Sequence, residues 1–308
     1  SQEPLFTLID SKKTGINFTN DLVDTKDHSI FLYANYYGGA GVGIGDFDND
    51  GLEDIFLAAN LIDDKIYRNL GDFQFEDKTK LSGIINNGSW STGVTVADVN
   101  NDGLLDIYVS CELYDDAPFL RTNKLYINKG DFKFVESAKK WGVDVDRRTR
   151  HSVFFDYNND GLLDLYLLNH PPNTGNFSPF FGSDMTLPEY NLQLFENKEG
   201  FFEDVTAKTG LDRSGFPNAA VIGDFNKDGW PDIYVANDFD SPDFLYFNNK
   251  DKTFTYATET CAAHPSPINV GRQKNGGYSP AGDGAIQLAA KKRWSDGITA
   301  SYNFGFTI

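Results

Sequence analysis

Four copies of one nine-residue pattern constrain this chain more than anything else in it. They read DFDNDGLED at 46–54, DVNNDGLLD at 98–106, DYNNDGLLD at 156–164 and DFNKDGWPD at 224–232. Self-similarity of this kind marks a stack of supersecondary units, none of which buries its apolar faces alone. Any fold for this sequence must therefore place four like units in like surroundings.

The pattern also carries chemistry. Oxygen-bearing side chains stand at positions 1, 3, 5 and 9, with glycine at 6 to permit the sharp turn that brings the carbonyl of position 7 round. A hard cation that accepts carboxylate, amide and backbone oxygens in flexible geometry fits this set, so calcium is expected, up to four ions in all, ahead of the more strictly octahedral magnesium. The expected ligands in the first loop are Asp46, Asp48, Asp50, the Leu52 carbonyl and Asp54. In the second they are Asp98, Asn100, Asp102, the Leu104 carbonyl and Asp106. The third offers Asp156, Asn158, Asp160, the Leu162 carbonyl and Asp164, and the fourth Asp224, Asn226, Asp228, the Trp230 carbonyl and Asp232. An EF-hand would need glutamate at position 12, where this chain has Leu57, Val109, Leu167 and Val235 inside apolar runs. Asp, Asn and Gly also cluster in plain turns, but four copies sharing every ligand position favour the cation.

The flanks give the fold class. Each loop lies between short apolar runs, with Val42 and Ile44, Val94 and Val96, Val153 and Phe154, or Val221 and Ile222 before it. IFLAA, IYVSC, LYLLN or IYVAN follows. Such runs read as buried strands joined by the loop as a hairpin. A third segment recurs as IYRN, LYIN, LFEN and LYFN, and a fourth around Phe75, Phe134, Phe202 and Phe254. The expectation is an all-β chain, a β-propeller of four-stranded blades with calcium-binding hairpin loops. An aromatic content of 15% suits strands better than helices.

The loops with these flanks resemble the FG-GAP or VCBS repeats of integrin-alpha-type propellers. The variant with LYxN and a Phe-rich strand is similar to bacterial exported proteins related to the cartilage acidic protein and UnbV group. The resemblance covers about residues 36–257 and implies a surface lipoprotein of the outer membrane. Residues 1–35 are then a leader, whose FTLIDSKKTGI resembles FFEDVTAKTGL at 201–211 and suggests an outer strand that closes the ring. Residues 258–308 lack the motif and form a divergent segment, a partial blade or a foreign tail, ending in one amphipathic strand at 298–308. The first residue is Ser1, which suits a processed mature end.

A formal charge of −18 repels nucleic acid and anionic membrane. No apolar run is long enough for a membrane helix. Cys111 and Cys261 form no metal or redox spacing; buried free thiols are expected ahead of a long-range disulfide.

Blades two and three carry insertions between their second and third strands, Leu113 to Asn123 and His170 to Asn191. The larger holds Phe177, Phe180, Phe181 and Tyr190, aromatic anchors for a partner, with Arg121, Asp115 and Asp116 as a polar edge. Packing of the insertion onto its own scaffold is the competing expectation. The partner implied by the resemblance is a surface protein complex such as a TonB-dependent transporter, with a glycan as the rival. Function is expected to be non-enzymatic recognition. The alternative is a propeller-fold polysaccharide lyase or hydrolase using the run RRTRH, Arg147 to His151, with His170. Such a run is more commonly a solvated connection, here into blade three.

Overall fold

The computed structural model describes residues 6–33, 35–171, 190–237 and 243–257, together with strand backbones at 268–269, 288–293 and 299–304. A short helix α1 (Ser11–Thr14) precedes four antiparallel meanders. Blade one is β1 (Val42–Gly45), β2 (Asp54–Leu57), β3 (Lys65–Asn69) and β4 (Phe75–Asp77), followed by α2 (Thr79–Ser82). Blade two is β5 (Trp90–Ala97), β6 (Asp106–Glu112), β7 (Lys124–Asn128) and β8 (Phe134–Glu136), followed by α3 (Ala138–Trp141). Blade three is β9 (Arg148–Phe155), β10 (Asp164–His170), β11 (Gln193–Asn197) and β12 (Phe202–Asp204), followed by α4 (Thr206–Thr209). Blade four is β13 (Pro217–Gly223), β14 (Asp232–Asn237), β15 (Phe244–Asn248) and β16 (Phe254–Tyr256). In every sheet the strands lie in sequence order, and each nine-residue motif is the connection from first to second strand.

The apolar faces are buried between blades rather than within them. Phe47, Phe56 and Ile66 of blade one pack with Val94, Ile107, Val109 and Tyr126 of blade two. Tyr108 and Leu125 meet Leu165 and Phe195 in the next layer, and Tyr166 and Leu194 meet Ile233 and Tyr246 in the last. Every residue of β6 and β10 is buried, as their unbroken apolar runs require of strands covered on both faces. The first strands converge on one cleft of about 300 Å³, to which Gly41, Thr92, Gly93, Arg150, His151, Asn218 and Ala219 contribute from all four blades. This is the arrangement of propeller blades about an axis.

A second device joins the blades. In blades two, three and four the asparagine that ends the third strand donates its side-chain amide both to its own loop and to the loop of the blade before. Asn128 Nδ2 reaches the carbonyls of Leu105 (3.0 Å) and Phe47 (2.9 Å). Asn197 reaches Leu163 (3.1 Å) and Val99 (2.9 Å), and Asn248 reaches Pro231 (3.2 Å) and Tyr157 (2.8 Å). Asn69 makes the own-loop bond, to Glu53, at 2.8 Å.

The short helices were not foreseen. Each ends on a left-handed glycine packed against the following blade: Gly83 (φ 82°) lies so close to the Phe134 carbonyl that a Cβ would sit 2.5 Å from it. Gly15 (φ 76°), which closes α1, meets the Phe75 carbonyl in the same way. The helix at the start of the chain thus occupies on blade one the place that α2 occupies on blade two. Phe6 and Leu8, just before it, are almost fully exposed. The large side chains Val42 and Ile44 of β1 and Val221 of β13 are more than half exposed, whereas no residue of β5 or β9 is exposed.

One expectation is corrected. The run Arg147 to His151 is not a solvated connection: Arg148 to His151 begin β9, and Arg148 is buried because Asp115 of the blade-two insertion neutralises it. The strand expected at the end of the tail is present, and two others join it. Residues Ala257–Ile308 form a separate compact unit with an antiparallel sheet of β17 (Ile268–Asn269), β18 (Leu288–Arg293) and β19 (Thr299–Phe304). Cys111 is a buried free thiol in the layer between blades one and two, while Cys261 lies outside the described residues.

Candidate metal centres

The four loops share one hydrogen-bond plan. The two oxygens of Asp46 accept the N–H groups of Asp50 (3.0 Å) and Gly51 (2.8 Å). Asp98 accepts those of Asp102 and Gly103 (3.1 and 2.8 Å), and Asp156 those of Asp160 and Gly161 (3.0 and 2.8 Å). Asp224 accepts those of Asp228 and Gly229, both at 2.9 Å. The fifth-position aspartates Asp50, Asp102, Asp160 and Asp228 accept the N–H of the seventh residue, Leu52, Leu104, Leu162 or Trp230. Such tight winding puts the fourth position in the left-handed region, at Asn49 (φ 57°), Asn101 (φ 56°), Asn159 (φ 57°) and Lys227 (φ 64°). Asparagine adopts that conformation at little cost, lysine only under strain.

The ninth-position aspartates are fully buried and tie the loop to the third strand. Asp54 accepts the N–H groups of Phe47 (2.9 Å) and Asn69 (2.8 Å). Asp106 does the same for Val99 and Asn128, Asp164 for Tyr157 and Asn197, and Asp232 for Phe225 and Asn248. Burial raises the carboxyl of Asp54 to about 6 and those of Asp106 and Asp164 to about 7. These groups are thus held in the fold by backbone amides, a role the sequence pattern does not distinguish from ligation.

The residues fit a hard cation. In loop one, ligand atoms of Asp46, Asp48 and Asp50 all lie within 4.8 Å of one another. Asp48 Oδ1 is buried there without a hydrogen-bond partner, an orphaned acceptor of the kind a bound ion satisfies. In the other loops the third position is an amide. The Oδ1 atoms of Asn100, Asn158 and Asn226 accept the N–H of the fifth residue at 2.9, 2.9 and 3.0 Å. The donor set is oxygen alone, which suits calcium and not the softer metals that seek thiolate or imidazole. Calcium held there would neutralise the crowded carboxylates and cross-link the turn.

A second cluster lies where the insertions leave the blades. Glu112, at the end of β6, is fully buried. The Tyr33 hydroxyl donates to it, Arg150 Nη1 lies 3.5 Å from its Oε2, and His170 Nδ1 lies 3.5 Å from its Oε1. His170 Nε2 is 2.9 Å from the Pro217 carbonyl, Arg148 pairs with Asp115, and Arg147 Nη1 donates to Asn191 Oδ1 at 2.5 Å. Burial lowers the imidazole of His170 below its ordinary value, and burial with the nearby Arg150 charge does the same for His151. Glu112 and Tyr33 carry no signal in the sequence; only the fold brings them to the arginine run. The contact of Glu112 with His170 sets the roots of the two insertions side by side. Arg121 and Asp115, expected as a polar edge, pair with each other at 2.7 Å. In the same insertion Phe119 is 75% exposed, an anchor the sequence reading passed over. Phe177, Phe180 and Phe181 lie outside the described residues, and Tyr190 is half-buried at their border.

Blades in sequence order, joined layer by layer and each carrying an acidic hairpin loop, define a propeller-type repeat protein. More particularly, the chain carries FG-GAP-like repeats, matched at residues 46–109 and 224–281. Among curated proteins it is similar to cartilage acidic protein 1 of Xenopus tropicalis, 23% identical over 232 residues, covering 75% of this chain and 34% of that protein. The human cartilage acidic protein 1 is 23% identical over 209 residues, covering 66% of this chain and 29% of that one. The chain thus spans about a third of the length of these relatives. Among solved structures, the V. cholerae biofilm matrix protein Bap1 superposes with a TM-score of 0.35 at 14% identity, over 72% of this chain and 30% of that one. A GH43 β-1,3-galactosidase solved with galactodeoxynojirimycin superposes with a TM-score of 0.38 at 12% identity, over 71% and 75%. Among the described residues no helix is long and apolar enough to cross a membrane.

Proposed function

We propose that this protein is a non-enzymatic, extracellular, calcium-binding propeller that acts as a surface recognition module. The partner is a membrane protein complex at the cell surface, and the contact surface is the pair of insertions on the rim of blades two and three. The observation that carries this reading is the division at that rim. Of the side chains that resemble a catalytic set, Arg148, Arg150 and His170 are tied up in ion pairs with Asp115 and the fully buried Glu112, while Phe119 points outward from the blade-two insertion. An exposed aromatic on a rigidly rooted loop suits an interface anchor. Relatedness to cartilage acidic protein 1 supports the extracellular setting, where calcium is abundant enough to fill sites of modest affinity.

Replacing residues 173–188 by a short Gly-Ser linker, alone and with Phe119→Ala, is expected to leave melting almost unchanged and to abolish co-purification of the partner from native membranes. Retention at wild-type level moves the recognition surface elsewhere. Depolymerisation of an acidic glycan by the purified protein, lost in Arg150→Ala, would overturn the non-enzymatic reading.

A further inference from the structure

The four loops do not present the same electrostatic surroundings. The fourth residue of each third strand stands beside its loop, as the shared pairing of Tyr67 with Ile55, Tyr126 with Ile107, Phe195 with Leu165 and Tyr246 with Ile233 fixes. That station holds Arg68 in blade one, Ile127 in blade two, Glu196 in blade three and Phe247 in blade four. In two blades its side chain reaches the loop. Arg68 Nη2 donates to Asp50 Oδ2 at 2.9 Å and Arg68 Nε lies 2.8 Å from Asp48 Oδ2. Glu196 Oε1 accepts from the Asn158 amide at 3.2 Å, but Lys198 and Lys252 neutralise it at 2.8 and 2.6 Å.

We propose that Arg68 is a built-in competitor for the cation of loop one, making that loop a distinct low-affinity calcium site that fills only as the guanidinium withdraws. The proposal rests on the reading of the loops as calcium sites and adds the regulation of one of them.

Three observations support it. Loop one alone has aspartate at position 3, where the others have asparagine, and Arg68 sits on that additional carboxylate. The guanidinium therefore cancels the charge that would otherwise make this the strongest of the four sites. Its fit is also incomplete. Nε is close to Asp48 but not aligned to donate, so the contact is an ion pair and not a hydrogen bond, and both Arg68 Nε and Asp48 Oδ1 are left buried without hydrogen-bond partners. A planar fork cannot satisfy three carboxylates that converge on a point, whereas a compact ion can. Finally, Arg68 has somewhere to go. Its side chain is 35% exposed and borders an open cleft of about 330 Å³ lined by Lys78, Asp131 and Phe132, where Asp131 offers a second acceptor.

Calorimetric titration of the chelator-stripped protein with calcium chloride tests this. The wild type is expected to show one site weaker than the rest. In Arg68→Ile, which copies the blade-two residue, that site should tighten about fivefold, the loss of roughly one surface ion-pair competitor. Arg68→Gln, which keeps a polar side chain, should shift it the same way, and circular dichroism would establish that both variants are folded. The reciprocal variant Phe247→Arg should weaken one site in blade four by a similar factor. Identical titrations of wild type, Arg68→Ile and Arg68→Gln, with calcium bound, overturn the proposal and leave the calcium reading standing. If no protein takes up calcium, both fall.

Discussion

The side-chain amide of Asn197 donates to the carbonyl of Val99, 98 residues earlier and one blade back, at 2.9 Å. The bond lies in a fully buried layer, so its loss leaves the Val99 and Leu163 carbonyls short of a donor. Asn197→Ala is expected to destabilise the protein by about 2–3 kcal/mol, since unpaired buried acceptors carry most of the penalty. Asn69→Ala, where the side chain is half-exposed and the own-loop bond to Glu53 is at stake, should lower stability by about 1 kcal/mol or less. Equal urea midpoint shifts for the two would refute the inter-blade role.

Lys227 holds a left-handed backbone angle where the other three loops have asparagine. Lys227→Asn should therefore stabilise the protein by about 1 kcal/mol, the strain of a long side chain in that region. An unchanged or lower denaturation midpoint would count against this account.

The half-buried His151 titrates below 6.5 because partial burial and the Arg150 charge disfavour its protonated form. As the pH falls below 6.5, the unfolded chain takes up a proton there that the folded chain refuses. The stability contributed by the neutral ring is thus complete above pH 6.5, declines as the pH drops, and levels off below the folded-state value. His151→Gln should flatten melting temperature against pH between 6.5 and 5 relative to wild type. Parallel curves would show that this ring does not contribute.

Chelation tests the loops together. Without a cation the carboxylates of positions 1 and 5, and of Asp48 in loop one, repel one another within each hairpin. Removing calcium should lower the melting temperature by several degrees and re-addition should restore it. Metal analysis finding no calcium, with no thermal shift, would end the calcium reading.

Deletion of residues 1–16 removes α1 and its contact with the Phe75 carbonyl. If the preceding residues close a ring, cooperative unfolding of blade one should move to lower denaturant. An unaltered single transition would make the segment a leader.

Much of this was legible because each repeated signal has a local cause. The loops, the second strands and the Phe-led fourth strands fall where the pattern of turn residues and apolar runs puts them. The ninth aspartate and the LYxN asparagine were visible as motif, but not as clamps, because their partners are backbone groups up to 98 residues away. The same holds for Glu112, which meets Tyr33 and His170 only when the blades stack. The helices after the fourth strand escaped because four residues give no periodicity; only the glycine that ends each of them was a sign.

The asparagine joint has an evolutionary corollary. It engages one main-chain carbonyl at a fixed turn position, so it asks nothing of the neighbouring unit's side chains. Whole units can then be duplicated, lost or exchanged by recombination without a matching change across the seam, which leaves the rim insertions free to diverge as the choice of partner changes.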